Sequence, residues 1–168
     1  DADGAQEVIC GGVCYRGNGT TGWEAEPFGH TDISKPARIV PGAAGLQIWY
    51  AVESGNAGVY LVDNAGRTLF SEPFDHAHYG WLARHAPGVP GLHPHTAEDA
   101  RRQEVRRQGH FPIFLPDGSH WAELSDYQRK VLVPVHWDEG PEVAFVVRTG
   151  DKRVVRLRQA EHGVYMED

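Results

Sequence analysis

Histidines are the residues of this sequence whose number and spacing point most directly to chemistry. The chain contains ten of them, and one stretch holds two His-x-His pairs, His76 with His78 and His93 with His95. A transition metal such as zinc takes three or four nitrogen, sulfur or oxygen ligands within a small volume. These four histidines are therefore the predicted metal ligands, and zinc or a similar transition metal is the predicted cofactor.

The two pairs differ in the backbone geometry that we expect around them. On a strand, a His-x-His pair places both rings on one face, whereas a helix separates them by about 200° of rotation. Because we expect a helix around His76 and His78, that pair is the weaker one. Pro94 favours extended backbone beside His93 and His95, which makes theirs the stronger. The alternative is a histidine-rich composition whose imidazoles pack in the core or face solvent.

A second candidate for chemistry is the turn predicted within residues 115–121. It would place His120 at a loop tip, where an imidazole can act as a general base near neutral pH. Asp117 or Asp126 would orient the ring, and Cys14 would then serve as the nucleophile of a Cys-His-Asp arrangement. The alternative is an ordinary exposed turn. His120 and Asp117 are the predicted catalytic residues.

Cys10 and Cys14 are the two cysteines of the chain. Fully extended backbone would hold their Cα atoms about 13 Å apart, which is too far for a disulfide. A turn at the two intervening glycines would allow a small-loop bridge. Two buried thiols, one disulfide, and a redox or metal role all remain open. Export, or excision from a larger protein, is compatible with the way the sequence starts.

Two short pieces of the sequence resemble an enzyme of another kind. Residues 13–17 (Val-Cys-Tyr-Arg-Gly) and 159–161 (Gln-Ala-Glu) are similar to the strand arginine and the Gln-x-Glu element of the arginine–serine–glutamate class of mono-ADP-ribosyltransferases. By that resemblance, Arg16 would grip the phosphates of NAD and Glu161 would assist ribosyl transfer. The Ser-Thr-Ser strand of the family is absent from this sequence.

Strand signals surround these groups. Residues 46–52 are rich in aromatic and β-branched side chains, as strands are. Residues 58–63 and 67–70 predict a hairpin, closed by a type I turn with Gly66 in the left-handed region. Residues 7–15 predict a strand interrupted by two glycines.

The C-terminal third has strand signals as well, whereas residues 16–35 predict a long irregular loop. A second hairpin would join 142–148 to 153–159 through a two-residue loop at Gly150 and Asp151. Residues 131–136 predict a further strand, at a sheet edge because they include a proline.

Two helices are expected in the middle of the chain. One runs from Asp75 to the residue before Pro87. The other begins at Thr96, whose hydroxyl would cap it, and ends at Gln108. Strands followed by helices and then by more strands predict the α+β class, with a mainly antiparallel sheet, in one globular domain over residues 1–168.

Composition limits the classes of partner and function. The net charge of −7 argues against broad binding to nucleic-acid phosphates. No apolar run is long enough to span a membrane, so we expect a soluble protein, and a protein partner remains open. We favour a small hydrolase-type enzyme with a histidine-rich metal or acid–base site. The alternatives are an NAD-consuming transferase like the family above and a non-catalytic protein-binding module.

Overall fold

The regular elements of this chain are β-strands throughout the part that its structure describes. The computed structural model describes these residues, the last four ranges by backbone only: 4–25, 29–98, 112–123, 132–135, 143–147, 154–160 and 163–167. No helix occurs within these residues. The predicted α+β class is therefore wrong, and the described part of the chain is all-β.

The strands form four antiparallel sheets in chain order. Their bounds are β1 Val8–Cys10, β2 Val13–Tyr15, β3 Thr21–Glu24, β4 His30–Ala37, β5 Gln47–Ser54, β6 Gly58–Val62, β7 Thr68–Pro73, β8 Ala77–Ala83, β9 His93–Glu98, β10 Pro112–Phe114, β11 His120–Glu123, β12 Leu132–Val135, β13 Val143–Val147, β14 Val154–Ala160 and β15 Gly163–Glu167. The first sheet is β1–β3, the second β4–β7, the third β8–β11 and the fourth β12–β15.

Within each sheet, strands that follow one another in the chain are neighbours. Each sheet is therefore a meander, and the last three have four strands each. Successive four-stranded antiparallel meanders are the repeating unit of β-propeller blades. The last three sheets of this chain follow one another as such meanders.

The core forms on both faces of β5. Trp49 and Ala51 face the third sheet, and the Trp49 ring lies 5.3 Å from that of Phe114 between ring centroids. Ile48 and Tyr50, on the opposite face, belong to a separate apolar cluster onto which residues of the first sheet pack. The alternation of a strand thus divides β5 between two layers.

The first expected helix is wrong. Residues 77–83 form β8, which pairs with β9 along its length. The spacing of Ala77 and Trp81 also fits a helix face, but aromatic residues such as Tyr79 and Trp81 gain more from cross-strand packing. Local propensity differs by only a few tenths of a kcal/mol among such residues, so the sheet decides.

The second expected helix is wrong where the structure describes it. Thr96 lies inside β9, and its hydroxyl donates to the backbone carbonyl of Tyr79 on β8 at 2.6 Å instead of capping a helix. Residues 99–108 lie outside the described part. The irregular loop expected over 16–35 is also wrong, because β3 and the first six residues of β4 occupy much of it.

Several strand predictions are confirmed. β5 covers the segment predicted as a strand, and β6 pairs with β7 through a tight turn in which Gly66 has φ of +84°. In the second hairpin, Val147 pairs with Val154, which is the register that a two-residue loop at 150–151 requires. β12 pairs with β13 alone among the described strands, at the predicted edge.

Three histidines are buried in the third sheet and the loop beside it. His85, His93 and His95 are each at most 2% exposed. The Nδ1 atom of His93 accepts the backbone N–H groups of His85 and Ala86 at 2.8 and 2.9 Å, which requires a neutral ring. Burial lowers the pKa of His93 and brings that of His85 to about 3, with neighbouring His93 adding to the effect on His85.

We expect acid to destabilise the fold through His85. Because its pKa is lower in the folded chain than in the unfolded one, its contribution to stability is complete above about pH 6.5 and is lost as pH falls toward 3. Between about pH 7.5 and pH 5 the free energy of unfolding should fall by about 2 kcal/mol. Urea unfolding at both pH values measures this loss.

The matched variants are His85→Leu and His120→Ala. The first removes the buried imidazole and should flatten the pH dependence, whereas the second removes an exposed imidazole and should leave the acid loss in place. An acid loss of unchanged size in His85→Leu would contradict the assignment.

Candidate metal centre

Five side chains with metal-ligand chemistry meet where the second and third sheets adjoin. They form two groups that share Glu53: one adds His76 and His78, and the other adds His30 and Asp32. In each group the ligand atoms all lie within 4.8 Å of one another. A small volume containing imidazole nitrogens and carboxylate oxygens is what a divalent transition metal requires.

The carboxylates hold the imidazoles in place. Glu53 accepts from two rings, with Oε1 lying 2.7 Å from Nε2 of His76 and Oε2 lying 2.6 Å from Nδ1 of His30. Asp32 contacts Nδ1 of His78 through Oδ2, and its Oδ1 lies 3.2 Å from His30. The rings of His76 and His78 are 5.4 Å apart between centroids. One connected network therefore links all five residues.

Both carboxylates occupy extra positions in the β4–β5 ladder. His30 pairs with Ser54 and Thr31 with Val52, so Glu53 is left without an opposite residue. Thr31 pairs with Val52 and Ile33 with Ala51, so Asp32 is extra in the same way. These are β-bulges, which turn a strand and re-aim the side chain of the extra residue.

His78 is the extra residue of a third bulge. In the β8–β9 ladder, Ala77 pairs with Glu98 and Tyr79 pairs with Ala97, and His78 lies between them without an opposite residue. The rings of Tyr79 and His78 are close to perpendicular at a centroid distance of 4.6 Å, so Tyr79 supports the imidazole from one side. Three bulges on neighbouring ladders thus direct their side chains into one site.

The network is open to solvent on one side. Side-chain exposure is 14% for Asp32, 24% for Glu53 and 18% for His76, but 67% for His30. The pKa of Glu53 is lowered, chiefly by the hydrogen bond from His30 and further by His76, with partial desolvation opposing them. Glu53 is therefore an anion across the neutral range, which suits a metal ligand.

The structure brings one predicted pair of ligands together and separates the other. His76 and His78 share the network, since the backbone around them is extended, not helical. His93 and His95 also share a face of their strand, but that face lies in the core. Among the described residues, neither belongs to a group of three ligand side chains. Their assignment as ligands stays a prediction.

The predicted catalytic residues have different hydrogen-bond partners. His120 Nε2 lies 2.7 Å from Oε2 of Glu72 on β7, so a glutamate from another sheet orients the ring. Asp117 accepts both the backbone N–H and the hydroxyl of Ser119, at 2.9 and 2.6 Å. The Ser119 hydroxyl is the largest cause that lowers the pKa of Asp117. Asp126 lies outside the described residues, and the catalytic roles stay predictions.

Cys14 is unsuited to the role of nucleophile that the sequence suggested. It is 4% exposed, and burial raises the pKa of its thiol, with nearby Glu7 adding to the effect. Cys10 pairs with Val13, so Cys14 points to the opposite face of the β1–β2 hairpin. Both thiols are free. A disulfide between them is absent because the register separates their side chains.

The resemblance to mono-ADP-ribosyltransferases remains untested. Arg16 lies on the surface at the end of β2, where its Nη1 atom donates to the carbonyl of Thr21 at 2.8 Å. Glu161 lies outside the described residues.

Comparison with known proteins gives one informative likeness. No family model matches this sequence, and no curated protein matches it. Among solved structures, the exotype rhamnogalacturonan lyase YesX is similar over 100% of this chain, with a TM-score of 0.78 and 18% sequence identity. This chain spans only 28% of the length of that protein. At this identity the likeness shows the β-fold.

None of the comparisons supports the predicted hydrolase class. The similar protein is a lyase, and neither the fold nor any family match supports a hydrolase. No helix of the described residues is long and apolar enough to cross a membrane. What the described residues do contain is a histidine–carboxylate group that could bind a metal.

We expect the pKa of Glu53 to rise when His30 is replaced by alanine, because the largest cause of its lowering is then removed. Titration of the labelled side-chain carboxyl by NMR measures the change. His120→Ala removes a histidine bonded to Glu72 instead, and should leave Glu53 as it is. Equal titration curves in wild type and His30→Ala would show that the contact does not persist in solution.

Proposed function

We propose that this chain binds one divalent transition-metal ion through Glu53, His76 and His78. The observation that carries this proposal is the meeting of three bulge residues, Asp32, Glu53 and His78, at one point between two sheets. A bulge interrupts ladder hydrogen bonding, and bulges are over-represented next to active sites. Three that converge on ligand-type side chains favour a site over a chance arrangement.

Two imidazoles and one carboxylate suit zinc, and such sets also bind iron, nickel or copper. Three protein ligands leave a position open for water or substrate, as in catalytic zinc sites. Asp32 contacts His78 at Nδ1. From that position it would direct Nε2 of the ring toward the metal, and such outer carboxylates raise the affinity of a site.

We further propose that the metal centre serves a lyase that cleaves a uronate-containing polysaccharide. The likeness to a rhamnogalacturonan lyase over the whole chain supports this class of reaction. In such an elimination, a base takes the proton from C5 of the uronate and the C4–C5 double bond forms. The C4–O glycosidic bond breaks, and the leaving oxygen takes a proton from water or a general acid to become a hydroxyl. A metal held by Glu53, His76 and His78 would stabilise the charge that develops on the carboxylate.

His30 is the group placed to act as the base in this proposal. It is the most exposed of the five side chains and lies against Glu53 and Asp32. Its Nδ1 atom contacts both carboxylates, which would orient the ring so that Nε2 takes the proton from carbon.

The metal proposal predicts one ion per chain. Chelator-treated protein titrated with zinc in a calorimeter should bind a single equivalent, and His76→Ala with His78→Ala should weaken binding by ~100-fold or more, since even outer partners of a ligand contribute about 10–100-fold. Asp32→Asn should lower the affinity for zinc by about 10-fold to 100-fold.

His120→Ala is the control for metal binding, because His120 has a similar 2.7 Å contact with a glutamate but belongs to no group of three ligands among the described residues. Wild-type affinity in the double variant, or an equal loss in the control, would contradict the site.

The lyase proposal predicts an unsaturated product from rhamnogalacturonan. The new C4–C5 double bond absorbs in the ultraviolet, so the reaction is followed directly. We expect the ultraviolet absorbance to increase when metal is present. The rate of this increase should be at least ~100-fold lower for Glu53→Gln and for His30→Ala. Cys10→Ser, at an exposed thiol, serves as the control. Cleavage that yields saturated ends only would identify a hydrolase and refute the lyase.

A further inference from the structure

A cavity of about 370 Å³ lies between the first and second sheets. Its lining combines one guanidinium, one carboxylate, one amide and one indole with apolar and thiol groups; the residues used below are Glu7, Cys14, Arg16, Trp23, Leu46 and Asn64. Small-molecule sites are cavities of about 300–1,000 Å³, mostly apolar with a few placed polar groups. This cavity has that size and character.

Trp23 packs against the β6–β7 turn at the wall of the cavity. Its indole lies directly against Gly66, where an added Cβ would be 2.8 Å from Cε3 and 2.9 Å from Cδ2. Only glycine fits there, and its φ of +84° also favours glycine. The β6–β7 turn therefore supports the ring from the second sheet. A fixed indole is a platform on which the apolar face of a flat ligand can stack.

Arg16 is anchored at the cavity through one nitrogen of its guanidinium group, which leaves its other N–H donors for a ligand. One of its nitrogens, Nη1, donates to the backbone carbonyl of Thr21 at 2.8 Å, which limits the freedom of the side chain. A guanidinium has five N–H donors in a planar fork. The remaining donors match a carboxylate or a pair of adjacent hydroxyls.

Glu7 and Asn64 supply further polar groups on the cavity wall, from opposite sheets. A carboxylate accepts from hydroxyls, and an amide both donates and accepts. Cys14 is 4% exposed and has its pKa raised, chiefly by burial, so it contributes a neutral surface and no nucleophile. Leu46, which is 44% exposed, is one of the apolar residues on the second-sheet side.

The cavity is separate from the metal centre. Ile48, which lines it, and Glu53 lie five positions apart on β5, or about 17 Å at 3.4 Å per residue. Ile48 belongs to the face of β5 that packs on the first sheet, whereas Glu53 reaches His76 beside the third sheet. A ligand in the cavity would therefore not need the metal.

We propose that this cavity binds one pyranose unit of a polysaccharide, with the sugar ring stacked on Trp23 and its carboxylate or adjacent hydroxyls held by Arg16. Glu7 and Asn64 bind the remaining hydroxyls. The cavity would hold the polysaccharide at a distance from the metal centre. The choice of polysaccharide rests on the proposed function, whereas the binding of a sugar unit does not.

Calorimetric titration of the metal-free protein tests the site. The probes are D-galacturonate, L-rhamnose and an oligosaccharide of rhamnogalacturonan, with a chelator present throughout. We expect binding of at least one probe, weakened about tenfold or more by Arg16→Gln and by Trp23→Ala, since one lost charged hydrogen bond or stacking contact is worth about 1.4 kcal/mol. Binding of galacturonate but not of rhamnose would show that Arg16 binds the carboxylate. Binding of rhamnose but not of galacturonate would show that Arg16 binds hydroxyls.

Trp81→Phe is the matched control, because this tryptophan lies on the third sheet under the ammonium of Lys35 and away from the cavity. Arg16 is exposed, so its variant is expected to fold even if Trp23→Ala does not. Absence of binding by all three probes would overturn the proposal, and so would equal weakening in Trp81→Phe. Metal binding is measured separately, so either site can fail without the other.

Discussion

The burial of β5 on both faces is the constraint from which the described structure follows. Trp49 and Ala51 fix the packing of the third sheet against the second, while Ile48 and Tyr50 fix that of the first. A strand covered twice must be apolar at consecutive positions, as this one is. The metal centre and the cavity lie toward opposite ends of the strand and belong to opposite faces.

The histidine–carboxylate group of the candidate metal centre forms because alternation breaks down at the end of this ladder. A regular strand sends neighbouring side chains to opposite faces, so a carboxylate beside the core would normally be exposed or would bury a charge. Bulges also occur at Gly22, Leu69 and Trp121, so a bulge alone does not mark a site. What distinguishes Asp32, Glu53 and His78 is that their ladders adjoin and their side chains meet.

Hairpins could be predicted from the sequence because their signals are local. The turn at Gly66 and the alternation on either side of residues 150–151 specify strands and register within a few residues. The strand in the middle of the chain could not be predicted, because the residues of 75–86 have the spacing of a helix face. Only the pairing of β8 with β9 overrides it. The helix expected there also made His76 and His78 the weaker of the two predicted ligand pairs.

The carboxylate partners were beyond sequence reasoning for a different reason. Asp32 and Glu53 lie 44 and 23 positions before His76 in the chain, and no spacing rule connects them. Their meeting depends on bulges, for which residues 30–32 and 52–54 give no composition signal. His93 and His95 show the converse, because a His-x-His pair on a strand looks the same whether its face meets solvent or the core.

The bulges give the metal centre an unusual dependence on chain length. Each of its three bulge residues is an insertion relative to a regular ladder, and removing one would shift every residue beyond it to the other face. Such a site can arise or disappear by the gain or loss of a single codon, with all of its ligand residues still present in the sequence. Among relatives of this chain, alignment gaps near residues 32, 53 and 78 would therefore be more informative about the metal centre than the identity of the histidines.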